Sequence, residues 1–136
     1  MRGIGESRPD VARNDSFLNV YGGDYMHAAF GLMLDEPYTG RKTLDVLRVL
    51  QFLAAYGHKE VHLVGRGWGA IPATFAGVLS PMVTQVTLKA APESYTDIAQ
   101  TERYKWPLHT LPYRILEHMD LTDCYTVLES KGLKRV

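Results

Sequence analysis

Apolar residues fall into short periodic runs separated by glycine and proline. Over residues 24–34, Met26, Ala29, Phe30 and Met33 recur at helical spacing and Asp24 stands where an N-cap belongs, so a short helix is predicted. Glu36 to Gly40 reads as a turn. A stronger helix is predicted from Arg41 to about Tyr56. Leu44, Val46, Leu47, Val49, Leu50, Phe52 and Leu53 give it a broad apolar face, and Gly57 occupies the C′ position. Residues 61–64 form a β-branched run closed by Gly65, which predicts a strand. Residues 68–79 are apolar and rich in small side chains, as in a buried helix, with Pro72 near its first turn, where a missing N–H costs little. Residues 83–90 alternate as a second strand does. Residues 92–118 carry prolines at 92, 107 and 112 and predict only short helical pieces. A last helix is expected over 121–130, and a third strand opens over 133–136. Residues 1–23, rich in Gly, Asn, Asp, Ser and Arg, lack periodicity and read as a loop-rich lead segment.

Strand, helix, strand, helix, strand at these spacings predicts an α/β fold: a parallel sheet of about three strands whose two faces are covered by helices. The chain of 136 residues allows a single domain, 1–136. Its apolar fraction of 46% and charged fraction of 22% suit a globular protein. Fifteen Lys and Arg balance fifteen Asp and Glu, which argues against a nucleic-acid binder driven by phosphate neutralisation and against a polybasic membrane-surface protein. No apolar run approaches the ~18–20 residues needed to span a bilayer. Met1 to Ser7 lacks the apolar core of a signal peptide. The single cysteine, Cys124, leaves no internal disulfide framework and no multi-cysteine zinc site. A reduced, cytoplasmic setting and no cofactor are expected.

The chemistry centres on Gly65-Arg66-Gly67-Trp68-Gly69, placed between a strand and a helix. In α/β hydrolases this place holds G-x-S-x-G, the nucleophile elbow, where a sharp turn presents the serine hydroxyl at the sheet's carboxyl edge. The flanking glycines are expected to avoid collisions with strand and helix. The central residue here is Gly67, which has no group to attack a carbonyl. Its backbone N–H and that of Trp68 are left as candidate donors to an anion or a carbonyl oxygen.

Other segments extend the likeness. Arg2-Gly3-Ile4-Gly5-Glu6-Ser7 resembles the R-G-x-G-x-S segment of acetyl-xylan-esterase-like and dienelactone-hydrolase-like members of the α/β-hydrolase superfamily. Residues 45–53 resemble the helix before their elbow strand. Residues 115–125 are similar to their L-x-x-x-D-L-x-D-x-Y segment. The resemblance implies the middle-to-late portion of a truncated α/β-hydrolase-like sheet in the carboxylic-ester hydrolase lineage. Counterparts of the early strands, the catalytic acid and the catalytic histidine are absent, so weak or unconventional esterase activity is the most it implies. A non-catalytic binding or assembly module, or one subunit of a split hydrolase, is the rival expectation.

Substitutes for the missing triad would have to come from Ser7, Asp97 and His118, with Glu93 and His109 as further candidates. Each also has a structural reading: Ser7 as a loop hydroxyl, Glu93 and Asp97 as capping or surface carboxylates, His109 and His118 as solvated or capping histidines. Cys124 shares an apolar helix face with Leu121 and Leu128 and reads as a buried thiol. The spacing of His118, Asp120, Asp123 and Cys124 matches no standard metal site. The glycine-rich turn lacks the Lys-Ser/Thr of a phosphate loop, and Thr84 to Val86 supply no ribose-binding acid. Trp68 either stacks on a ligand, a small ester or anion, or packs internally. Without the earlier strands, the 61–64 strand would expose a backbone edge, and the 41–56 helix would keep an uncovered apolar face. Self-association as a homodimer or higher oligomer is expected from both.

Overall fold

The computed structural model describes Arg2, Glu6, Tyr21, residues 24–103 and residues 105–136. The expected lead loop over 1–23 falls almost wholly outside the described residues, and Ser7 with it. Helix α1 (Tyr25–Met33) and α2 (Tyr38–Ala55) precede β1 (Val61–Arg66). A 3₁₀ turn, Gly67–Gly69, leads into α3 (Ala70–Leu79), followed by β2 (Val83–Lys89) and α4 (Tyr95–Gln100). Two 3₁₀ turns, Leu108–Thr110 and Ile115–Glu117, precede α5 (Leu121–Glu129) and β3 (Lys134–Arg135).

The three strands form one parallel sheet in the order β1-β2-β3, so the fold is α/β as expected, with β2 central and β1 at an edge among the described residues. Gly57 takes φ +90° after α2, as a C′ glycine does. Pro72 is the third residue of α3, where no helical N–H is lost. A register shift between Val61 and His62 skips Thr84, so that Val61, Leu63 and Gly65 oppose Val83, Val86 and Leu88.

The core lies on that face. Val83, Val86 and Leu88 are fully buried against α3, and Leu121 and Leu128 of α5 close it. Small residues bring α3 in close. A Cβ on Gly77 would lie 3.0 Å from Val86 Cγ2 and 3.1 Å from Leu128 Cδ2. Helix α3 packs on both long strands and also against α2 and α5, which places these helices on one side of the sheet. Among the described residues, no helix packs on the opposite side, so there the expectation that helices cover both faces is not met. His62, Val64 and Arg66 of β1 and Gln85, Thr87 and Lys89 of β2 make up the other face, exposed or half-exposed. Its polar character is the reason: parallel strands buried on both faces read as continuous apolar runs, and β2 alternates.

Three local expectations also change. Helix α2 starts at Tyr38, because Pro37 at φ −57°, ψ 128° serves as its N-cap residue. Its buried stripe is Thr39, Lys42, Thr43 and Leu50, with Val46 half-buried, one face at 3.6 residues per turn. Leu44, Val49 and Phe52 of the expected apolar face lie outside that stripe and are exposed. In α1, Met26, Phe30 and Met33 are likewise exposed, while Ala28 is buried. The chain doubles back tightly after α1: Glu36 N–H donates to Gly31 O at 2.7 Å, and a Cβ on Gly31 would meet Glu36 O at 2.6 Å. That approach turns Asp24, Ala28 and Gly31 inward and the large residues outward.

One carboxylate joins two helices. Asp120 Oδ1 accepts from Leu121 N–H at 2.6 Å, capping α5, and from Tyr95 N–H at 2.6 Å at the start of α4. Its Oδ2 accepts from Thr96 N–H and Oγ1, and Asp123 completes a capping box. Burial opposes ionisation of Asp120, yet the bonds from Thr96, Tyr95 and Leu121 outweigh it and hold the carboxyl below its ordinary value.

Candidate functional site

The strand–turn–helix at β1 and α3 has a sharp bend, and two of its glycines are fixed by geometry. Gly65 ends the buried alternation of β1. A Cβ there would meet Ala70 Cα and Ala73 Cβ at 2.8 Å and Gly69 O at 2.9 Å, so no side chain fits. Gly67 takes φ +53°, the left-handed region that L residues enter at a cost. The expectation for Gly69 is corrected: its φ is −72° and nothing lies within 4 Å of a Cβ built on it, so this glycine is not required sterically. Gly67 likewise has open space where a side chain would project.

Beside the turn, the half-exposed Trp68 indole meets the His109 imidazole edge to face, centroids 5.2 Å apart. His109 is held by a buried polar cluster drawn from three elements. Lys42 Nζ donates to Asp24 Oδ2 at 2.7 Å, both side chains being almost wholly buried. The same Nζ lies 3.4 Å from His109 Nδ1 and 4.7 Å from the Tyr38 ring centroid. Thr39 Oγ1 donates to His109 O at 2.6 Å. An ammonium only donates, so Nδ1 is the acceptor in this contact, while Nε2 lies 3.9 Å from Asp24 Oδ2, too far for a hydrogen bond. Burial, reinforced by the Lys42 charge, pushes the His109 pKa down to about 4, against the pull of Asp24. His109 is therefore neutral near pH 7. Its Nδ1 is engaged by Lys42, and its Nε2 makes no hydrogen bond among the described residues.

The residues singled out as triad substitutes do not assemble. Ser7 lies outside the described residues. Asp97 is exposed on the first turn of α4, where its N–H donates to the Ser94 cap. It borders a shallow groove of about 270 Å³ with Glu93, Arg103, Lys105 and Trp106. Glu93 is paired with Arg135. His118 is exposed at the end of the 115–117 turn, lines neither this groove nor its neighbour of about 370 Å³ around Ile98, Leu111 and Ile115, and shares no hydrogen bond or ion pair with Asp97. Cys124 is buried, and burial raises its thiol to about 11. Asp120 is engaged in capping, and among the described residues no group of three or more His, Cys, Asp or Glu is placed to hold a metal. Arg2 is anchored on α2: its guanidinium and N–H bond to Asp45 at 2.5–3.0 Å and hold that carboxyl at about 2.

The sequence reading missed Lys42; Asp24 does hold the N-cap position of α1, but its side chain makes no cap bond and serves Lys42 instead. The available signal was the polar trio Thr39, Lys42 and Thr43, in phase with Val46 and Leu50. Among the described residues, no helix is long and apolar enough to cross a membrane. No family model, curated protein or solved structure matches the chain.

Proposed function

We propose that the chain is an α/β-hydrolase-like protein of the carboxylic-ester hydrolase lineage whose elbow persists without its nucleophile, and that it cleaves esters weakly or not at all. The observation that carries this reading is the pairing of a sterically sealed Gly65 with a positive φ at Gly67, the position a nucleophile would occupy. The contact of His109 Nδ1 with the Lys42 ammonium, where a triad histidine would donate to a carboxylate, supports the loss of catalysis. The buried cluster fits a structural role. Among the described residues, every buried side-chain nitrogen or oxygen has a hydrogen-bond partner.

The test is hydrolysis of short p-nitrophenyl esters by the purified chain. Rates close to the uncatalysed background are expected, unchanged in Ser7→Ala, Asp97→Ala and His118→Ala. Saturable turnover that scales with the chain and disappears in any of these variants overturns the loss of catalysis. The rival reading, an assembly module, is favoured by the sheet face left without a helix and by the edge position of β1, both among the described residues.

A further inference from the structure

The sheet face on which no helix packs among the described residues carries charge that those residues do not neutralise. Arg66 and Lys89 stand directly opposite each other in the β1–β2 register, and Lys134 of β3 stands opposite Thr87 on the same face. All three are exposed, and none forms an ion pair among the described residues, whereas Arg2, Lys42 and Arg135 each hold a carboxylate. Like charges facing each other across two strands are destabilising. The remaining sheet positions of this face, His62, Val64, Gln85 and Thr87, supply no carboxylate, and the His62 ring is spent on Thr87 Oγ1 at 2.8 Å. Two more features adjoin. The outer backbone of β1 has no strand beside it among the described residues, and Val64 in mid-strand is 63% exposed.

One occupant answers all three features. We infer that the β1 edge and the open face beside it dock an extended segment of a partner protein, one that alternates acidic with apolar residues and joins the sheet as an added strand. Backbone pairing with β1 satisfies the edge, and pockets or charges beside it give specificity, as in strand addition generally. Acidic side chains on the open face then lie about 5 Å from Arg66, with Lys89 a second strand spacing away, about 10 Å, within the combined reach of two long side chains, and their aliphatic stems cover Val64. The alternate, apolar side chains fall on the other face beside half-buried Val61 and Leu63.

A second copy of β1 fits less well. Antiparallel pairing centred on Val64 sets Arg66 opposite a histidine and brings no carboxylate to the cations. A nucleic acid would meet the cations, but the sheet positions of this face offer no phenylalanine, tyrosine or tryptophan on which a base can stack. The inference stands whether or not the elbow descends from a hydrolase.

The test titrates the full chain into a fluorescein-labelled peptide of about eight residues alternating valine and glutamate, at low salt. Saturable binding is expected, weakened at least about tenfold by Arg66→Glu with Lys89→Glu and equally by N-methylation of alternate peptide amides. The doubly substituted chain should instead bind the valine–lysine peptide. Both residues are exposed, and an unchanged melting temperature confirms that the variant folds. Absence of saturation at about 1 mM peptide overturns the inference. So does equal affinity for the N-methylated peptide, which would mean charge without strand addition. Tighter binding of a single-stranded oligonucleotide, or a dimer of the chain that Val64→Lys dissociates, overturns it as well.

Discussion

The Trp68 indole and the His109 imidazole are locked edge to face, with their planes at 83°. This contact ties the elbow, at the carboxyl end of β1, to a buried ion pair contributed by α1 and α2. The turn and the cluster are thus one mechanical unit, although the residues involved span positions 24 to 109.

His109 makes stability depend on pH in a defined window. Its pKa is about 4 in the folded chain against an ordinary 6.5. Between those values the unfolded chain binds the extra proton, so stability rises with pH across the window and is lost as pH falls from about 6.5 toward 4. Urea midpoints measured at pH 7, 5.5 and 4.5 should fall steadily, and His109→Gln should flatten that part of the profile. Asp45 acts lower. With its carboxyl held at about 2, its contribution is present above the usual carboxylate value of 3.8 and is lost as pH falls from there toward 2.

Removing Lys42 should be severe. Lys42→Met leaves the Asp24 carboxylate buried without its cation and is expected to cost about 3–5 kcal/mol in denaturant unfolding. Asp24→Leu combined with Lys42→Met removes both charges and should recover most of that loss. A double variant as unstable as the single one would show that the pair stabilises the fold beyond mutual neutralisation.

The three elbow glycines should separate cleanly in a substitution series. Gly65→Ala forces a Cβ onto two backbone atoms and should cost about 3 kcal/mol. Gly67→Ala pays for a left-handed residue, about 1–2 kcal/mol. Gly69→Ala, with open space and an ordinary φ, should be neutral or stabilising by about 0.5 kcal/mol. Thermal melts of the three variants check the order.

Cys124 should resist alkylation. Its thiol is buried beneath α5 and raised to about 11, so little thiolate exists at pH 8. Reaction with a disulfide reagent should be slow in the native chain and fast in denaturant; rapid native labelling would contradict the packing of α5.

The strands and α5 were legible in the sequence because local pattern and tertiary burial agree there. Val86 and Leu88 point inward and Lys89 outward, as alternation has it, and Leu121, Cys124 and Leu128 share the buried face of α5; Val83, which strict alternation groups with Gln85, Thr87 and Lys89, is turned inward by the shift that skips Thr84. The first two helices were less legible. Their inward stripes are made of small and polar residues, Asp24, Ala28 and Gly31 in one and Thr39, Lys42 and Thr43 in the other, and a hydrophobic-periodicity reading scores those as solvent-facing. Partnership overrides hydrophobicity at such positions: Lys42 is buried because Asp24 arrives from 18 residues away. The need for glycine at position 65 was legible for the right physical reason, while Gly69 has no steric need to be glycine.

The double duty of Asp120 has a dynamic consequence. Because one side chain terminates both α4 and α5, the two helices cannot fray independently: releasing Asp120 from Tyr95 and Thr96 also loosens its grip on Leu121. Segments 20 residues apart along the chain should therefore open to solvent together, behaving as a single cooperative patch within a small protein.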